Sequence, residues 1–209
     1  MNKIALLWDL DGTLIDSYET IVSSLYDAIA EYNIFIDKEY ILESVKKGSV
    51  GSFLDTISEK YDLPIDMIYA RTQKLNFDRR FEIKPIKNIC KLLDYTISAN
   101  ISNYIYTHKG RVTYSILDNL DMRKYFKEIL TIENRFARKP NPEAVNYLIK
   151  KYDLNRESTY YIGDRKLDIE CGCNAGIKTI LYLPQNSYVT PTGKETYIVE
   201  DMLEIIDLL

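Results

Sequence analysis

IALLWDLDGTLIDS, Ile4 to Ser17, is the stretch whose reading decides the fold. An apolar run through Leu6, Leu7 and Trp8 reads as a buried strand. It delivers Asp9 and Asp11 two residues apart, where like charges repel and need compensation. One reading is a strand stopping at a polar turn, with Asp11-Gly12 as turn chemistry. The other is a metal-bound catalytic pair at a strand's carboxyl end, where open α/β sheets place their ligands.

Four more runs rich in β-branched or aromatic residues resemble the first: ISNYIYTH from Ile101, EILTI from Glu128, TYYIGD from Thr159 and KTILYL from Lys178. Between them lie segments of helical spacing beginning at Pro85, Arg111, Asn141 and Lys166. In the second, Val112, Ile116 and Leu120 recur at i, i+4 and i+8, and Pro142 suits a first helical turn. Alternating strands and helices predict an α/β fold, a Rossmann-like parallel sheet with helices on its faces.

From about Asp16 to Glu82 the patterns are helical only: Ile21, Leu25 and Ile29; Ile41 and Val45; Phe53, Leu54 and Ile57; then Met67 to Arg80. A block this long between the first two strands reads as an inserted all-helical domain over residues 16–82, able to cover the sheet's carboxyl edge. The core is then residues 1–15 and 83–209. Gly48-Ser49-Val50-Gly51 reads as a turn between two of its helices, either a plain connection or a flexible element that chooses substrates.

The 209 residues, 46% hydrophobic and 28% charged, suit a globular protein with a substantial core. A net charge of −4 argues against broad nucleic-acid binding. Met1-Asn2-Lys3 leads straight into the first strand, and no apolar run approaches the roughly 18 residues a membrane span needs. With Cys90, Cys171 and Cys173 too few for a disulfide framework, the expected setting is the cytoplasm, with no membrane partner. Cys171-Gly172-Cys173 reads as helix packing, since no second Cys/His cluster accompanies it, and the 18 tyrosines lack the basic frame of a nucleic-acid platform.

A chance match to D-x-D-G-T in a chain of this length is about one in a thousand. Thr107, Lys139 in RKPNPEA, and Gly163-Asp164 with Asp168 follow at the ends of later strands, which share one edge of a parallel sheet. This ordered set resembles the haloacid dehalogenase-like hydrolase superfamily, specifically its phosphatases with a helical cap after the first strand. Within these it is most similar to the phosphoglycolate phosphatase-like subgroup, whose members act on many small phosphate esters.

The resemblance implies a role for each residue. Asp9 would be the nucleophile that forms an aspartyl-phosphate. Asp11 would be the general acid and then base, which calls for a raised pKa that the like charge of Asp9 favours. Mg²⁺ would be held by the Asp9 carboxylate, the Asp11 main-chain carbonyl and Asp164. Thr107 and Lys139 would bind phosphoryl oxygens, and Asp168 would orient Lys139 or hold metal-bound water. Four carboxylates face one lysine and one divalent ion, which return three charges. The family pattern often has Asn after Thr107, where this chain carries His108, its single histidine. That residue is expected to orient the loop or touch the phosphate, with a part in pH dependence left open.

The implied activity is Mg²⁺-dependent hydrolysis of a small phosphorylated metabolite by a monomer. A phosphomutase of the β-phosphoglucomutase type and a non-catalytic phosphometabolite-binding protein are the alternatives. A dehalogenase would leave Asp11 without a task.

Overall fold

The computed structural model describes residues 3–185 and 187–209, so the expectation for Met1 and Asn2 lies outside the described residues. Contacts divide the chain into two units, Met1–Asp16 with Lys84–Leu209, and Ser17–Ile83.

The strands are β1 (Ala5–Trp8), β2 (Ile15–Asp16), β3 (Lys84–Pro85), β4 (Ser102–Tyr106), β5 (Phe126–Leu130), β6 (Thr159–Gly163), β7 (Lys178–Tyr182) and β8 (Tyr197–Val199). Six of them form one sheet in the order β5-β4-β1-β6-β7-β8, with every neighbouring pair parallel. β1 lies at the centre, Trp8 level with Ile105 on one side and with Ile162 on the other. All four β1 residues are buried, as a strand covered on both faces requires. The chain builds outward on one side of β1 through β4 and β5, then returns to place β6 on the other. The crevice between β1 and β6 is therefore the topological switch point, where such sheets bind ligands.

Two features extend the sequence reading. β8 adds a sixth strand, and β2 pairs with β3 in an antiparallel ribbon that matches Ile15 with Pro85 and Asp16 with Lys84. Strands of two or three residues are too short to leave an alternating or apolar run. Within the sheet, the Trp8 indole donates to Asn103 Oδ1 (3.0 Å), and Asn103 Nδ2 donates to Thr96 Oγ1 (2.7 Å). This satisfied chain of buried polar groups fixes β1 against β4 immediately before Asp9.

Helices α1 (Tyr18–Ala30), α2 (Lys38–Lys47), α3 (Val50–Tyr61) and α4 (Ile65–Asp78) make the second unit. Ile21, Leu25, Ile29, Ile41, Val45, Phe53, Leu54 and Ile57 are all buried in its core, while Met67 is 64% exposed. The GSVG stretch is not an open turn. Only Gly48 and Ser49 link α2 to α3, and Ser49 with Ser52 forms a reciprocal capping box that starts the helix. Among the described residues no helix is long and apolar enough to cross a membrane.

The remaining helices, α5 (Ile89–Ser98), α6 (Val112–Asn119), α7 (Glu143–Tyr152) and α8 (Lys166–Asn174), flank the sheet. Along α6 the buried positions are Thr113, Ile116 and Leu117, while Val112 and Leu120 sit at the half-buried margins of that face. Gly172 lets α8 approach closely: a Cβ there would lie 2.5 Å from a Thr179 methyl and 3.0 Å from Tyr161 Cβ. Its neighbour Cys171 is buried and its thiol faces the Asn141 carbonyl (3.4 Å), so this cysteine packs a loop.

Candidate active site

Asp9, Asp11, Thr107, His108 and Asp164 lie just beyond strands of the parallel sheet, while Lys139 sits further along the segment between β5 and α7 and Asp168 lies in the first turn of α8. Asp9 follows β1 and ties its N–H to the Ile162 carbonyl of β6 (2.9 Å), while Thr107 follows β4 and ties its N–H to the Leu130 carbonyl of β5 (2.9 Å). Leu10 to Leu14 fold into a tight turn. The Leu10 carbonyl receives the N–H groups of Thr13, Leu14 and Ile15, and Gly12 takes a φ of +81° that residues with a Cβ rarely adopt.

Lys139 is the centre of the charge arrangement. Its Nζ lies 2.6 Å from Asp9 Oδ1 and 2.8 Å from Asp168 Oδ1, and all three side chains are essentially inaccessible. The rings of Tyr106 and Tyr161 stand 5.1 and 5.3 Å from the ammonium and line its path. The Lys139 loop is held in turn by the Asn174 amide, which donates to the Pro140 carbonyl (3.0 Å).

One ammonium does not neutralise this pocket. Burial alone would drive the Lys139 pKa down, but the charges of Asp168 and Asp9 more than reverse that and hold it above the ordinary lysine value. The Asp168 carboxyl is pushed up, first by burial and then by the charge of Asp9, against the opposing pull of Lys139 and Arg165. Lys139 is thus fully engaged while Asp168 still carries an electrostatic penalty. Asp164 brings a third buried carboxylate, and ligand-forming oxygens of Asp9, Asp164 and Asp168 lie within 4.8 Å of one another. Asp9 Oδ2 is buried and has no hydrogen-bond partner among the described residues. A cluster of hard oxygen donors with surplus negative charge fits a divalent cation such as Mg²⁺.

Gly163 explains how Asp168 enters this group. A Cβ at position 163 would fall 2.3 Å from Asp168 Cβ, so the absence of a side chain admits the carboxylate to the strand end. Asp168 Oδ2 also receives the Arg165 N–H (3.2 Å), closing the first turn of α8.

The loop after β4 carries Thr107, His108 and Lys109. His108 Nε2 accepts the main-chain N–H of Lys139 (3.0 Å), which assigns the ring proton to Nδ1. The Arg138 guanidinium 3.4 Å from Nδ1 therefore meets a second donor there and is no hydrogen-bond partner of the neutral ring. Burial, then the charges of Lys139, Arg138 and Arg165, lower the His108 pKa to about 3. His108 is neutral throughout the physiological range and positions the Lys139 loop. Its folded pKa is depressed, so below about pH 6.5 the unfolded chain takes up a proton that the folded chain refuses, and stability falls with acidification. As the single histidine, it is readable by NMR. Its ring resonances are expected to stay constant between pH 5 and 8 in the folded protein, and a midpoint near 6.5 would contradict the assignment.

Asp11 stands outside the carboxylate cluster. Its Oδ1 lies 2.8 Å from Lys109 Nζ, so its side chain faces an ammonium. The sequence reading did not single out Lys109, nor Thr13, whose hydroxyl is 3.5 Å from Asp164 Oδ1. Thr13 stood within the quoted motif, while Lys109 carried only the weak signal of a cation two residues beyond Thr107.

The profile of the haloacid dehalogenase-like hydrolase family matches residues 6–182. Pyrophosphatase PpaX of Oceanobacillus iheyensis is 27% identical over 213 residues, covering 100% of this chain and 98% of its own length. A hydrolase from Streptococcus pneumoniae shares 27% identity, with a TM-score of 0.65 over 88% of this chain and 94% of its own. A predicted phosphoglycolate phosphatase from Haemophilus somnus is 19% identical, with a TM-score of 0.86 over 100% and 98% of the two chains, a likeness of fold.

Proposed function

Because the chain belongs to the haloacid dehalogenase-like hydrolases and is a phosphatase of that family, we propose that it hydrolyses a small phosphate monoester in a Mg²⁺-dependent reaction through an aspartyl-phosphate on Asp9. The observation that carries this reading is the buried Lys139 ammonium shared by Asp9 and Asp168, with Asp164 beside them and Asp9 Oδ2 unpartnered among the described residues. A buried anionic oxygen without a partner is costly unless it has a task.

Asp9, Asp164 and the Asp11 main-chain carbonyl would hold Mg²⁺, with Asp168 bracing Lys139. The ion supplies Lewis-acid offset of charge on the phosphoryl oxygens. Asp9 attacks phosphorus as the ester oxygen departs with a proton from Asp11. Asp11 then takes a proton from the water that attacks the aspartyl-phosphate, and inorganic phosphate leaves. Thr107 Oγ1 already accepts the Lys109 N–H (3.1 Å), which leaves its own proton for a phosphoryl oxygen. Lys139 supplies positive charge to the same oxygens. We place the enzyme in the cytoplasm as a monomer, a setting that its three free cysteines suit.

A second substrate, pyrophosphate, is favoured by the name of the relative that matches along the whole chain. Phosphate release from 2-phosphoglycolate, sugar phosphates and pyrophosphate, each with Mg²⁺ and with EDTA, tests both. Release that requires Mg²⁺ is expected, and a preference for pyrophosphate would assign the second substrate. Absence of release from every compound would overturn the phosphatase reading.

A further inference from the structure

We propose that Lys109 is a positioning residue whose ammonium donates to Asp11 Oδ1 and so orients the carboxyl group, with the proton that passes to the leaving group carried on Oδ2. The inference rests on the phosphatase reading, in which Asp11 is the acid. Two carboxylates two residues apart push each other away, and Asp9 is itself fixed by Lys139. Displacement therefore falls on Asp11, unless a cation counters it. Lys109 supplies that cation at 2.8 Å, with side chains 12% and 21% exposed for Lys109 and Asp11.

The loop presenting Lys109 is anchored on both sides. The Lys109 N–H bonds Thr107 Oγ1 (3.1 Å), its carbonyl receives the Ile132 N–H (3.3 Å), and the Arg111 N–H bonds Glu133 Oε1 (2.9 Å). Glu133 is secured by the Thr131 hydroxyl (2.6 Å). A lysine side chain ordered on one partner from so fixed a backbone gives up most of its rotamer freedom, and withdrawing both charges from water offsets much of what their attraction returns. What the pair does provide is orientation. Proton transfer depends steeply on where the acid sits relative to the departing oxygen. The same backbone N–H of Lys109 also turns the Thr107 hydroxyl, so one residue sets both the acid and an expected phosphate donor.

The leaving group distinguishes this role from a structural one. An alkoxide needs a proton to depart, whereas a nitrophenolate leaves without one. Because Asp11 also serves the water step that every ester shares, the comparison is made in kcat/KM, which reports the formation of the aspartyl-phosphate. Lys109→Met is expected to lower kcat/KM on an alkyl phosphate such as 2-phosphoglycolate by about 10- to 100-fold. On p-nitrophenyl phosphate the loss is expected to be smaller, widening the ratio of the two kcat/KM values by at least about tenfold. Lys109→Arg is expected to recover part of that ratio. An equal fall in kcat/KM on both esters, or no change on either, overturns the proposal.

A second readout needs no turnover. In crystal structures of the wild type and Lys109→Met, the Asp11 carboxylate is expected to shift away from its wild-type position, and an unmoved carboxylate overturns the proposal. Wild-type protein inactive on both esters would defeat the phosphatase reading instead, while the structural comparison still decides whether Lys109 restrains Asp11.

Discussion

Replacing Asp9 with Asn is expected to lower phosphate release by about 10⁴-fold or more, while the protein unfolds at the same temperature or a higher one. The two effects have one origin. Asp9 is 2% exposed and shares a single ammonium with Asp168, whose carboxyl is pushed up by burial and by the Asp9 charge. An amide keeps the oxygen that Lys139 contacts and removes the repulsion from Asp168, which offsets the attraction to Lys139 that is lost with the charge. It also removes the only oxyanion able to bond to phosphorus at that position. Phosphate release measured beside calorimetry in EDTA checks both effects. A rate within tenfold of wild type would sink the nucleophile assignment, and a marked loss of stability would sink the repulsion argument.

Lys139→Met is expected to have the largest effect on stability, a loss of about 3–5 kcal/mol at pH 7 in EDTA, because it strands buried carboxylates without their counter-charge. Activity should be lost as well, since the phosphoryl oxygens lose a cation. Mg²⁺ should restore part of the stability by occupying the same carboxylates, in proportion to how far its concentration exceeds its dissociation constant. The sign with pH follows from Asp168. Its folded pKa lies above the ordinary carboxylate value near 4, so its contribution is fully present at low pH and is lost as pH rises through the raised value. Without Lys139 that penalty grows, and the gap between variant and wild type should narrow from pH 7 to pH 5. Urea unfolding at the two pH values, with and without Mg²⁺, measures it. A variant as stable as wild type at pH 7 in EDTA would mean that the carboxylates do not rely on Lys139.

How much of this was legible in the sequence depends on the range over which each feature is determined. β1, β4, β6 and β7 are largely buried in a parallel sheet, and that burial writes itself into the chain as short runs rich in β-branched, aromatic and other apolar residues. The turn holding Asp9 and Asp11 is local, and Gly12 announces it. β8 and the β2–β3 ribbon are too short to carry any period, and their pairing comes from neighbours distant in sequence. The Lys109–Asp11 pair spans 98 positions and depends on where a four-carbon side chain comes to rest. The neutrality of His108 is likewise a product of assembly, since its burial and the three cations around it come from loops that meet only in the fold.

The β2–β3 ribbon has an evolutionary consequence. Because Asp16 lies opposite Lys84, the two ends of the Ser17–Ile83 segment are already clasped together by the catalytic unit. What lies between them is in effect a hairpin loop, and the entropy of closing such a loop grows only with the logarithm of its length. Inserts of quite different size and shape can therefore be exchanged at this point with little change in the closure term. The ribbon makes the helical segment an interchangeable cassette, whose replacement leaves the ends of the sheet unit, and the turn around Asp9, joined as before.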